Sequence, residues 1–188
     1  IKVDNCLFDK IKNDSNTKQQ FYRFLEVKQF LPENNELEQA IKLFTERDES
    51  TLRIIILAHG DCNFRCKYCY EKFVDCTIES QKSGILEFVK NKLKQHRFKE
   101  LHVSWFGGEP LLGYREILDI SQKLITLSSK FGVQYHSDMT TNGYLLNSRT
   151  LSRLITECCI QYYQITVDGT KKGHDNQRVL KNGQGSYD

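Results

Sequence analysis

An α/β fold built on a parallel sheet is what this sequence predicts, and three features predict it. Short β-rich apolar runs alternate with stretches whose apolar residues recur at helical spacing. Each apolar run ends in a turn carrying glycine, acidic or cysteine residues. The 188 residues, about a quarter of them charged, suffice for one domain with a real core.

The first fifty residues are polar and irregular, and form an N-terminal extension without a motif. Within them "NNELEQAIKLF" predicts an amphipathic helix, with Leu37, Ala40, Ile41 and Phe44 on one face and Asn34 or Asn35 as N-cap. Thr51–Leu57 ("TLRIIIL") is the first strand. Ile78, Ile85, Phe88, Val89 and Leu93 then mark a helix, and Glu100–Phe106 ("ELHVSWF") a second strand. A helix through Ile117, Ile120, Leu124, Ile125 and Leu127 leads to a third strand, Val133–Thr140. A helix through Leu151, Leu154 and Ile155 leads to a fourth, Tyr162–Val167, after which the chain ends in a loop with no further helix. Such alternation implies βαβ units with right-handed crossovers. The carboxyl ends of parallel strands share one face, where ligands bind. The cysteine-rich segment, "GGEP" (Gly107–Pro110), "TTNG" (Thr140–Gly143) and "TVDG" (Thr166–Gly169) therefore converge on one rim.

Composition excludes several roles. No stretch is apolar enough to span a membrane, and the N-terminus shows no secretory h-region, so a reducing cytoplasmic setting is expected. A net charge of +3 is too small to imply nucleic acid, and the basic run Lys90–Lys99 reads as solvated helix surface.

Seven cysteines occur, and Cys62, Cys66 and Cys69 crowd into "CNFRCKYC" in the spacing C-x-x-x-C-x-x-C. Structural zinc wants four ligands, but only Cys76 or His59 could complete the set, and no second C-x-x-C pair exists. Disulfides want pairs and an oxidising compartment. Core filling conflicts with a mostly polar loop, although it suits Cys158 and Cys159, where a helix end runs into a buried strand. Cys6 and Cys76 are scattered. An iron–sulfur cluster takes one thiolate per iron, so three thiolates on a four-iron cluster leave one iron open for another ligand.

"CNFRCKYCY" resembles the signature of the radical S-adenosylmethionine (radical SAM) enzymes. "GGEP" resembles their methionine-binding motif, and "ITVDGTKKGHDNQRVLKNGQGSYD" is similar to a late-strand segment of the peptide- and protein-modifying SPASM maturases, which include the anaerobic sulfatase maturases. The resemblance covers Thr51 to Asp188. It implies a partial (β/α) TIM-like barrel, truncated at the C-terminus, with residues 51–188 as the core and 1–50 as the extension. It implies that Cys62, Cys66 and Cys69 hold a [4Fe-4S] cluster. Around the S-adenosylmethionine it implies Tyr68, Gly107, Gly108, Glu109, Thr141, Asn142, Thr166 and Arg178. The glycines would allow close backbone approach, Glu109 would complement the cofactor ammonium, and Arg178 its carboxylate. Thr166 stands where a serine is more usual but keeps the hydroxyl. Taken singly, "GGEP" could be a turn before a helix, "TTNG" a turn before an Asn147 cap, Asp168–Gly169 a structural turn, and Arg178 a surface arginine.

The implied activity is reductive cleavage of S-adenosylmethionine to a 5′-deoxyadenosyl radical that abstracts hydrogen from a peptide or protein, as in thioether formation or residue oxidation. A small-molecule or RNA substrate is the alternative, and a metal-stabilised structural module is the reading from another class. The implied partners are the substrate polypeptide and an electron donor such as flavodoxin or ferredoxin, with no membrane and no nucleic acid expected. The family's barrel has more strands than the four counted here, and SPASM proteins add a cysteine-rich domain with auxiliary clusters. The expectation is therefore a gene that continues past Asp188. The piece alone should be aggregation-prone and should turn over no peptide.

Overall fold

The computed structural model describes residues 14–27, 41–43, 45–46 and 49–188. The chain divides into two compact units, Ile1–Asp48 and Glu49–Asp188. In the first, helix α1 (Ser15–Val27) begins where the Asp14 carboxylate accepts the Thr17 backbone N–H at 2.9 Å. Of the helix expected over 34–44, Asn34, Asn35, Leu37, Ala40 and Phe44 lie outside the described residues. Ile41 and Leu43 are helical and exposed.

The second unit is a four-stranded, all-parallel sheet in the order β1 (Thr51–His59), β3 (Glu100–Gly107), β4 (Gln134–Thr141), β5 (Ile160–Ile165). Helices α2 (Lys82–Gln95), α3 (Tyr114–Lys130) and α4 (Ser148–Cys158) make the crossovers. Alternate strand residues point to opposite faces. Ile56, Ala58, Leu101, Val103, Trp105 and Met139 are buried in one core with Val89, Leu93, Ile117, Ile120, Leu124 and Leu154 from the helices. Each of the larger aliphatic side chains contributes roughly 1.5–3 kcal/mol. On the other face Ile55, Leu57 and Tyr162 are exposed. There Asp138 Oδ2 lies 2.6 Å from His102 Nε2 and accepts the Ser104 hydroxyl at 3.0 Å. One helical layer and one open face are the wall of a partial barrel.

Several details differ from expectation. Phe88 and Ile155 are half exposed because neighbouring helical positions diverge, so that Val89 and Leu154 take the face toward the sheet. Cys158 is core, but Cys159 is only partly buried and caps α4 in the left-handed conformation, φ 53°. That turn lets β5 start at Ile160 and end at Ile165, so Thr166 and Val167 lie beyond the strand.

The fourth strand is also followed by more than a loop. Helix α5 (Lys171–Gln177) leads into β6 (Arg178–Leu180), which pairs antiparallel with β2 (Phe64–Cys66) inside the cysteine segment. α5 lacks an apolar face, so no periodicity announces it. It is anchored by His174, which is buried, accepts the Asp168 N–H on Nδ1 at 3.2 Å and therefore donates from Nε2 to Ser186 Oγ at 3.1 Å.

Candidate functional site

The loops after the parallel strands meet around a cavity of about 220 Å³. The loop after β1 contributes Cys62, Cys66, Tyr68 and Cys69 to its lining. The ends of β3 and β4 supply Gly107, Gly108, Thr141 and Asn142. Thr166 and Arg178 complete the wall. Glu109, alone among the residues implied to hold the cluster and cofactor, does not line it and is fully buried. A larger groove of about 630 Å³ lies on the outer surface between α2 and α3, where lysines including Lys90 and Lys123 surround Leu86 and Leu127. It holds no cysteine and is not at the strand ends.

The cysteine loop is held from below by Asp61. Its carboxylate accepts the Cys62 N–H at 2.8 Å, Arg65 Nη2 at 2.8 Å and Lys181 Nζ at 2.6 Å. Lys181 above all, with these other donors, holds the carboxyl at about 2 against an ordinary 3.8. Burial pushes the Cys62 and Cys66 thiols up. Metal ligation needs thiolates, and two N–H groups already point at the Cys62 sulfur. They come from Phe64 at 3.3 Å and Asn142 Nδ2 at 3.6 Å. Among the described residues, no three His, Cys, Asp or Glu side chains converge on a single metal ion. A cluster asks something different, one thiolate per iron.

The "GGEP" glycines serve the packing of two loops. A Cβ on Gly108 would sit 2.5 Å from the Asp61 carbonyl oxygen, and one on Gly107, at φ 130°, 2.4 Å from that of His59. The same approach lets the Gly108 and Glu109 N–H groups donate to those carbonyls, each at 3.0 Å. Glu109 then braces the next loop. Its Oε1 accepts the Leu111 N–H at 2.9 Å and the Thr141 hydroxyl at 2.7 Å, and its Oε2 the Asn142 N–H at 2.8 Å. Burial nevertheless raises its pKa above the ordinary carboxyl value.

Arg178 is buried opposite Cys66 in the β2–β6 pair. Its Nη1 donates to the Tyr68 hydroxyl at 2.7 Å, which donates in turn to Asp168 Oδ2 at 2.7 Å, while its Nε has no partner. Asp61 and Lys181 escaped the sequence reading, and Asp168 entered it only as part of a turn. Asp61 adjoins the first cysteine, but nothing local marks Lys181.

Three thiols, N–H donors at one sulfur and a buried guanidinium with a free donor fit an iron–sulfur cluster beside an anionic ligand. Comparison with known proteins agrees. The Radical SAM superfamily matches residues 56–188. A serine-type anaerobic sulfatase-maturating enzyme of Klebsiella aerogenes is 26% identical over 132 residues, 67% of this chain and 31% of that one. A cysteine-type enzyme of Clostridium novyi (strain NT) is 28% identical over 148 residues, 74% of this chain and 38% of that one. The chain thus spans about a third of the length of these relatives. The solved structure of native anSMEcpe with bound AdoMet and Kp18Cys peptide superposes with a TM-score of 0.58 at 22% identity, covering 73% of this chain and 37% of that one. That likeness concerns the fold. With the family match running through most of the sheet and every strand-end loop, the chain belongs to the radical SAM superfamily, whose enzymes work with a [4Fe-4S] cluster and S-adenosylmethionine.

Proposed function

We propose that residues 51–188 are the cofactor-binding core of a radical SAM enzyme acting on a peptide or protein, with residues 1–50 as an extension. The observation that carries this is one cavity lined by Cys62, Cys66, Cys69 and Arg178. Cys62, Cys66 and Cys69 are the cluster ligands. Arg178 holds the carboxylate of S-adenosylmethionine, and Tyr68, Gly107, Gly108, Thr141, Asn142 and Thr166 enclose the cofactor, with Glu109 fixing the loop of Thr141 and Asn142 from behind. The bound cofactors supply a 5′-deoxyadenosyl radical for hydrogen abstraction. The residues orient the cofactor and exclude water from it.

The similarity to serine-type and cysteine-type sulfatase-maturating enzymes supports a polypeptide substrate. An electron donor of the flavodoxin or ferredoxin kind would be the partner that supplies the reducing electron. Outside the proposed ligand set, Cys76, Cys158 and Cys159 form no disulfide among the described residues, in keeping with a reducing compartment such as the cytoplasm. No described helix is long and apolar enough to cross a membrane.

Anaerobic reconstitution tests the ligand assignment. Cys62→Ala, Cys66→Ala and Cys69→Ala should each lose iron and the electron paramagnetic resonance signal of the reduced cluster, whereas Cys76→Ala should keep both. Full signal in Cys62→Ala together with loss in Cys76→Ala would overturn it. With dithionite and S-adenosylmethionine, 5′-deoxyadenosine should form. Absence of both iron and this product would favour a structural module.

A further inference from the structure

Arg178 reaches the rim from a strand of three residues, and a guanidinium on so short an element needs other means to keep its direction. The group lies over the Phe64 ring, 5.5 Å from its centroid. Nη1 is tied to the Tyr68 hydroxyl, and the hydroxyl to Asp168. From Asp168 the connections run back to Arg178. The Asp168 N–H donates to His174, His174 donates to Ser186 Oγ, and that hydroxyl donates to the Arg178 carbonyl. Side chain and backbone of one arginine are thereby joined in a closed circuit that also takes in Tyr68, between the second and third cysteines. Arg178 is 7% exposed, yet its Nε–H has no acceptor. A buried donor left unpaired is costly, and this one belongs to a side chain that lines the cavity.

Asp168 does not line the cavity. Its carboxylate reaches Arg178 only through the phenol oxygen, which accepts from one partner while donating to the other, so each bond strengthens its neighbour. We infer that Asp168 is a positioning residue, which through the Tyr68 hydroxyl turns the Arg178 guanidinium toward the carboxylate of bound S-adenosylmethionine. This rests on the assignment of Arg178 to that carboxylate. A plain structural staple would instead support every ligand of the cavity equally.

Calorimetry on the anaerobically reconstituted, unreduced protein separates the two roles. S-adenosylmethionine is compared with 5′-methylthioadenosine, which keeps the adenosine and the sulfur but lacks the amino-acid end. Tyr68→Phe and Asp168→Asn should each weaken S-adenosylmethionine about five- to tenfold and leave methylthioadenosine within about twofold, the size expected for one misdirected charge-assisted contact. Iron content should stay at the wild-type level in both. Equal weakening of the two ligands, loss of iron in Asp168→Asn, or unchanged S-adenosylmethionine affinity would each overturn the positioning role. Arg178→Ala serves as the reference. Unchanged S-adenosylmethionine affinity in that variant would instead remove the carboxylate assignment itself.

Discussion

Asp61 sits between two parts of the chain more than a hundred residues apart, taking Lys181 from one and Arg65 with the Cys62 amide from the other. Because its folded pKa of about 2 lies below the ordinary 3.8, its contribution is fully present above pH 4 and is lost as pH falls toward 2. That difference corresponds to about 2 kcal/mol. Asp61→Asn should therefore lower the melting temperature at pH 6, and the gap to wild type should close as unfolding is followed from pH 5 down to pH 2. Glu109 is the second such position. Replacing it by Gln puts an NH2 group against N–H and O–H donors that now point at a carboxylate. The expected cost is roughly 1–3 kcal/mol in a urea titration, against a smaller loss for Thr141→Ala, which removes one donor and leaves the other two paired.

At the scale of elements, the parallel sheet and its three crossover helices are legible because each is long enough to show its period: Trp105 with Val103 and Leu101 on one strand, Ile117 with Ile120 and Leu124 on one helix. β2 and β6 have three residues each and pair only with one another, so nothing local marks either. The end of α4 shows how a local rule can be broken. Cys159 holds a left-handed position that glycine occupies without strain, so Cys159→Gly should stabilise the protein by about 1 kcal/mol, read as a raised thermal midpoint. Gly108 presents the opposite case. Gly108→Ala drives a Cβ into the Asp61 carbonyl and must part the two loops. It should cost roughly 1–3 kcal/mol and lower iron content on reconstitution, although no ligand has been touched.

Across the whole second unit, the sheet is covered by helices on one face only. Ile55 and Tyr162 are more than 70% exposed on the other, beside Leu57. Apolar surface of this kind drives association, so the chain as it stands should self-associate as its concentration rises. In light scattering, Ile55→Thr combined with Leu57→Thr should shift that onset to higher concentration. Unchanged scattering would mean that association runs through another surface.

The strand–helix alternation, the convergence of strand-end loops on one rim and the three closely spaced thiols were determined by sequence alone, since each depends on periodicity or spacing within a short window. Tertiary structure decided what those residues do to one another. It turned Glu109 inward as a brace, set the glycines against the His59 and Asp61 carbonyls, and brought Asp168, Tyr68 and Arg178 into one circuit. The physical reason is range. A hydrogen bond between Tyr68 and Arg178 spans 110 residues of chain, and only the folded sheet brings its two ends together.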